Sequence, residues 1–152
     1  MNTYRKLATI SGSDDRGLIP RSLVDIFAQI ADKNLQVNVY CSFIQIYNER
    51  LFDLFNSNIK KQANLQIRED KWQGIYVEGL QEYLVVSEWD CLNMLRKGEK
   101  NRVTRSTHMN MRSSRSHSIF QIVVETTKVD QYGMIRRSKF SLGDLAGSEK
   151  IN

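Results

Sequence analysis

The sequence is poor in the features that mark membrane, secreted or repetitive proteins. No apolar run in its 152 residues approaches the ~20 residues that a membrane-spanning helix needs. Met1 to Ile10 is polar and basic, without the apolar core of a secretory signal. There is one proline, no internal repeat and no low-complexity tract. The two cysteines, Cys41 and Cys91, lack metal-ligand or redox spacing. They read as free, reduced thiols of a cytosolic protein, used in packing; spacing alone leaves their pairing open.

What remains is an ordinary globular composition, 41% hydrophobic and 26% charged, with length enough for one domain and a core. Net charge is +5. A basic balance favours polyanionic partners: nucleic acid, acidic membranes or an acidic protein lattice. The charge concentrates in Arg96, Lys97, Lys100, Arg102, Arg105, Arg112 and Arg115, opposed by Glu99. A nucleic-acid-binding domain built on Arg96 to Arg115 is one reading, but that stretch has no interleaved aromatics for base stacking, which argues against nucleic acid.

Met1 to Arg16 reads as a poorly defined N-terminal segment, with one domain over 17–152. Pro20 suits a first helical turn. Leu23, Ile26, Phe27 and Ile30 then repeat at helical spacing and predict a helix over Ser22–Ala31. The dense apolar run Val37–Tyr47 predicts a strand covered on both faces. Leu51–Phe55 reads as a short helical turn, followed by a polar loop, Asn56–Asn64. Leu65–Arg68 alternates as a strand, Trp72-Gln73-Gly74 turns, and Ile75–Val86 holds one or two further strands. Ser87 with Asp90 approximates a capping box before a helix that Gly98 is expected to interrupt or kink. Thr104–Ser116 reads as mostly loop. Ile119–Val129 and Met134–Leu142 form a hairpin around Asp130–Gly133. Strands alternating with helices, plus one hairpin, give an α/β layered domain with a mixed central sheet and flanking helices.

Two stretches carry chemistry. Asp144-Leu145-Ala146-Gly147-Ser148-Glu149 follows a hydrophobic strand. A carboxylate at a strand end is placed to hold Mg²⁺. A glycine three residues on lets a phosphate approach its backbone N–H. The same Asp-x-x-Gly pattern also ends strands as a plain turn. The second stretch is Asn110-Met111-Arg112-Ser113-Ser114-Arg115-Ser116-His117-Ser118. Its hydroxyls suit Mg²⁺ and phosphate oxygens, and Arg115 suits a forked bond to a carboxylate. Its bland alternatives are a basic phosphosite or a solvated loop.

In this order and spacing, the two stretches resemble the switch I and switch II loops of kinesin motor domains. Gly17-Leu18-Ile19-Pro20-Arg21, Ile46-Tyr47-Asn48-Glu49 with Asp53-Leu54, and Asn101-Arg102 with Thr107-His108-Met109-Asn110 resemble other segments of that family. The resemblance covers about Gly12 to Glu149. It implies a P-loop NTPase-type motor core that uses ATP and Mg²⁺, binds microtubules and resides in the cytoplasm on the cytoskeleton. By the same resemblance, Ser113 and Ser114 contact the γ-phosphate and Mg²⁺, and Asp144 holds Mg²⁺ through water. Gly147 donates its N–H to the γ-phosphate, Arg115 and Glu149 form the ion pair that closes the switches, and Asn110 orders switch I. His117 reads as a packing residue at a strand start and Arg112 as solvated.

The chain departs from the family pattern at several points. Nowhere does it contain Gly-x-x-x-x-Gly-Lys-Ser/Thr, the loop that cradles the phosphates. Where its end would fall stands Arg5-Lys6-Leu7: Lys6 matches the lysine, but Arg5 replaces the glycine and Leu7 has no hydroxyl. Gly143 stands where the family has a bulky β-branched residue. The sequence stops just past switch II, before the family's main microtubule-binding helix. The track-facing surface that remains is the strand region around Ile67–Val86. The expectation is a fragment of a motor that is inactive alone, with an open sheet edge prone to self-association. The alternative is a non-catalytic module that docks on tubulin or another partner.

Overall fold

The computed structural model describes residues 17–58, 65–72, 74–108 and 115–147. The expected N-terminal segment, Asn110, Ser113, Ser114 and Glu149 lie outside these residues, as do Gln73 and most of the polar loop before Leu65.

Helix α1 runs Leu18–Asp32, with Pro20 in its first turn. It ends because Asn34 takes a left-handed conformation (φ 48°). Leu35 N then donates to Ile30 O at 3.0 Å and Asn34 N to Ala31 O at 3.1 Å. This is a Schellman closure, with asparagine in the place that glycine usually fills. Strand β1, Val37–Tyr47, has the predicted bounds, and Cys41 to Gln45 are five buried residues in succession.

The turn after β1 corrects the expected helical turn at Leu51–Phe55. Asn48 and Glu49 both have positive φ, 49° and 59°. That is the two-residue hairpin geometry that matches strand twist. The chain therefore folds back as β2, Arg50–Asp53, pairing Tyr47↔Arg50 through Ile44↔Asp53. Asp53 Oδ1 then accepts from Phe55 N at 2.8 Å and bends the chain away from the sheet.

Strands β3 (Gln66–Asp70) and β4 (Gly74–Glu78) form a separate two-stranded ribbon. Strand β5, Tyr83–Val85, returns to β1. Helix α2, Glu88–His108, starts at Ser87, whose Oγ accepts from Asp90 N at 3.1 Å. In the reciprocal arm, Asp90 Oδ2 accepts from Val86 N at 3.3 Å.

Gly98 does not interrupt α2, which is continuous to His108. Its buried α-carbon lies against the sheet: a Cβ built there would fall 2.3 Å from Phe43 Cδ1. Gly98 is therefore a packing glycine. The helix also takes in Thr104–His108, expected as loop, because burial of Arg105 extends its inner face.

Strand β6, Ser116–Thr126, begins earlier than its apolar run suggests, because Ser116, His117 and Ser118 already pair with Tyr47, Ile46 and Gln45. Asp130 Oδ1 accepts from Tyr132 N and Met134 N and holds the hairpin turn. Those two N–H groups keep the Asp130 carboxyl below the usual carboxylate range. The return strand β7, Arg137–Asp144, starts only after this turn has closed.

The main sheet has order β2-β1-β6-β7, with β5 also on β1, and each recorded pairing is antiparallel. Helices α1 and α2 contribute Leu23, Phe27, Cys91 and Leu95 to one core with Val39, Cys41, Phe43, Phe120 and Ile122 of the sheet. Phe43 meets Phe120 edge-to-face at 5.4 Å and Phe55 at 6.1 Å between centroids. Such aromatic pairs add to stability beyond their area.

The glycines at 98 and 143 should respond with opposite sign. Gly98→Ala must move Phe43 and should destabilise by about 1–3 kcal/mol through overpacking. At Gly143 a Cβ meets only Leu145 Cδ2 at 3.7 Å, an ordinary contact. Gly143→Ala should therefore stabilise by about 0.5–1 kcal/mol. Urea unfolding of both variants checks this, and a tolerated Gly98→Ala would show that α2 does not rest on that contact.

Candidate functional site

The two chemistry-bearing stretches meet through the β6–β7 hairpin. Because the strands are antiparallel, the start of β6 and the end of β7 share one end of the sheet. Ser118 stands opposite Asp144. Arg115, exposed, lies immediately before β6. It is three residues from Ser118, roughly 10 Å along an extended strand. Gly147 is exposed, three residues past β7. The structure thus brings Arg115, Asp144 and Gly147 to one end of the sheet.

The Asp144 carboxylate is 60% exposed and is held by α2. Arg102 Nη1 donates to Asp144 Oδ2 at 2.9 Å and to Ser118 Oγ at 3.1 Å. Glu99 adds a longer contact to the same nitrogen at 3.7 Å. Arg102 is largely covered, 16% exposed, so its charge is desolvated and directed. Two residues past Asp144, Ala146 N donates to His117 Nδ1 at 3.0 Å. His117 is half-buried, as expected for a packing residue, yet its ring also takes a backbone hydrogen bond.

Behind this end lies a second arginine. Arg105 is 1% exposed and stacks on Phe52, 4.7 Å from the ring centroid. Burial pulls its guanidinium below the ordinary arginine range, and the Asp53 carboxylate opposes that pull. Burial likewise raises Asp53 above the usual carboxylate range, against the backbone N–H groups it accepts and the Arg105 charge. Gln45, fully buried opposite Phe52 and Ser118, has no hydrogen bond to either amide atom among the described residues. Asn101 Nδ2 donates to Leu54 O at 2.7 Å and ties α2 to the bend after β2.

The roles of Arg102 and Arg105 were hidden inside a stretch that stands out in the sequence only for its charge. A signal was present: Cys91, Leu95, Gly98, Arg102 and Arg105 recur at spacings of four and three, one face of one helix. That face is apolar over the sheet and basic where it reaches the strand ends.

One carboxylate at a strand end is a hard oxygen donor of the kind Mg²⁺ takes together with phosphate oxygens and water. Its exposure and the open backbone at Gly147 fit a cation shared with a phosphate ligand. The hydroxyl donors expected beside it, Ser113 and Ser114, lie outside the described residues, as does Glu149, the expected partner of Arg115.

The Arg102–Asp144 pair predicts a measurable coupling. A charge-assisted bond is worth about 1.5–3 kcal/mol, reduced here by the exposure of Asp144 to about 1 kcal/mol. A double-mutant cycle with Arg102→Met and Asp144→Asn should return that coupling in urea unfolding, shrinking as salt rises. Additive single effects would show that the pair does not form in solution.

Comparison with known proteins agrees with this arrangement. The family model described as the kinesin motor domain matches residues 5–152. Kinesin-related protein 5 of Dictyostelium discoideum is 48% identical over 139 residues, covering 90% of this chain and 14% of that protein. The kinesin heavy chain of Syncephalastrum racemosum is 41% identical over 146 residues, covering 95% of this chain and 15% of that protein. A solved structure, "Structure of a fast kinesin: Implications for ATPase mechanism and interactions with microtubules", superposes with a TM-score of 0.79 at 39% identity. It is matched over 91% of this chain and 39% of its own. The chain therefore spans about a seventh of these two relatives. The matched segment, the ordered motifs and the layered core agree: this chain belongs to the kinesin motor domain family.

Proposed function

We propose that this chain is the switch-carrying part of an ATP-hydrolysing, microtubule-based motor, with residues 17–152 as part of its motor domain. The observation that carries the reading is the β6–β7 hairpin, which sets Ser118 opposite Asp144 and so brings both switch stretches to one sheet end. The family model extends the assignment to residue 5, inside the segment expected to be poorly defined.

In this reading Mg²⁺·ATP supplies, when bound, the cation and the phosphoryl group to be transferred. Ser113 and Ser114 would hold phosphate and Mg²⁺, and Asn110 would order the loop that carries them. Asp144 would hold the cation through water and Gly147 would offer its N–H to the terminal phosphate. Arg115 and Glu149 would pair across the two loops. Arg102 competes for Asp144: a guanidinium at 2.9 Å must share or release the carboxylate when a cation needs it.

Phosphoryl transfer depends almost wholly on positioning and charge stabilisation, and the phosphate-cradling glycine motif is not in this sequence. The 152-residue chain by itself should bind ATP weakly. Steady-state phosphate release, with and without microtubules, should stay far below the ~1–100 s⁻¹ typical of phosphoryl-transfer enzymes. Microtubule-stimulated turnover in that range would overturn this.

A second reading, a non-catalytic module docking on tubulin, has its own support. The β3–β4 ribbon projects exposed Ile67, Trp72 and Ile75, with Trp72 at 94% exposure. Co-sedimentation with microtubules in the absence of nucleotide, weakened by Trp72→Ser, is the expected result. Unchanged pelleting of the variant would remove the ribbon from the interface.

Strand β7 is the edge of the sheet among the described residues, and Arg137 to Ser141 are exposed along it. Phe140, 45% exposed, adds apolar surface. Arg137 already pairs with Glu82 and Glu125, and Arg136 with Asp130, so much of the local positive charge is neutralised. Such an edge recruits other chains. Sedimentation velocity should show mass rising with concentration; a strict monomer at high concentration would mean that the edge is covered.

A further inference from the structure

The β6–β7 ladder ends at the Ser118↔Asp144 pair. Beyond it the chain diverges, yet Ala146 N does not go unclaimed: it donates to His117 Nδ1 at 3.0 Å. His117 is the residue just before Ser118 and stands opposite Ile46 of β1. A side chain has taken over the ladder where the main chain leaves it. Accepting at Nδ1 requires that nitrogen to be bare, which places the proton of the neutral ring on Nε2.

We propose that His117 is a positioning residue of the Asp144–Gly147 loop. The mechanical argument is short. Peptide units are planar, so each residue has two soft dihedrals. With Ala146 N fixed by His117, only φ and ψ of Ala146 separate that anchor from the Gly147 N–H. Two residues earlier the Asp144 carboxylate is fixed by Arg102. The loop is thus pinned on both sides of Leu145, whose own side chain is 72% exposed and contributes little hold. Gly147 is the first residue beyond the pins.

His117 also follows Arg115 by two residues, so the contact joins the stretch that enters β6 to the loop that leaves β7. The value of aiming Gly147 rests on the proposed reading of its N–H as a phosphate donor; the anchoring of Ala146 does not.

The test uses the 152-residue chain, labelled with ¹⁵N. Imidazole nitrogen shifts should show Nδ1 unprotonated and Nε2 protonated. His117→Phe keeps an aromatic ring but removes the acceptor. It should speed Ala146 amide exchange about tenfold, the scale of one net hydrogen bond, and shift the Gly147 amide resonance. The amides of Phe120 and Ile122 in the ladder should keep their protection. His117→Asn, whose Oδ1 can stand near the Nδ1 position, should restore most of the Ala146 protection. A proton on Nδ1 in the parent chain, or unchanged Ala146 exchange in His117→Phe, overturns the proposal. So does failure of Asn to restore protection in a folded variant. Faster Ala146 exchange with an unmoved Gly147 resonance overturns the aiming of Gly147. If His117→Phe does not fold, the parent tautomer decides. None of these readouts involves nucleotide, so the motor reading stands or falls separately, on phosphate release.

Discussion

The antiparallel ladder between β1 and β6 is the constraint on which the rest depends. It runs without a break from Val37↔Thr126 to Tyr47↔Ser116. A strand register admits no half-measures: a slip of one residue would send every side chain to the opposite face. In the observed register Cys41, Phe43 and Gln45 face the same side as Ile122, Phe120 and Ser118. The first residues of that row meet the helices, and the last reaches the end where Asp144 sits. One register therefore sets both the core and the place where the switch stretches emerge. Strand β7 inherits its position from β6, and with it the opposition of Ser118 and Asp144.

Much of this was legible where burial and periodicity agree. Val37–Tyr47 could be bounded from sequence because its dense apolar run is buried on both faces and stops at Asn48-Glu49. The same hairpin misled the reading of Leu51–Phe55. Paired apolar residues in Leu-Phe-Asp-Leu-Phe suit a helical turn, and Asn-Glu is a weaker reversal signal than Asn-Gly. Gly98 was misread because sequence shows the missing side chain and not the Phe43 ring that fills its place. The start of β6 was obscured by Ser116, His117 and Ser118. These residues are polar because they face the site's end of the sheet rather than its centre.

The site was legible in outline and opaque in its supports. Asp144, Gly147 and Arg115 stand out by motif, whereas Arg102 and His117, which hold the Asp144 loop, do not. Their work is done through geometry: a guanidinium reaching across from α2, and a ring nitrogen replacing a ladder carbonyl. The basic stretch also changes meaning in three dimensions. Arg105 is spent on Phe52 and Asp53, and Arg102 on Ser118 and Asp144. The surface left to attract a polyanion is less basic than the net charge suggests. A buried guanidinium near a raised carboxylate is costly to assemble, and removing either member alone leaves the other exposed to that cost.

The contact between Gly98 and Phe43 has a consequence for how this sequence can change over generations. A Cβ at position 98 would lie 2.3 Å from the Phe43 ring, so the two positions cannot drift independently. A larger residue on the helix overpacks the core unless a smaller one stands on the strand. The opposite order, with position 43 shrunk first, leaves a void in the core. Positions 43 and 98, fifty-five residues apart in the chain (98 − 43), thus behave as one inherited unit. Either order passes through a costly intermediate, and the missing methyl is the reason.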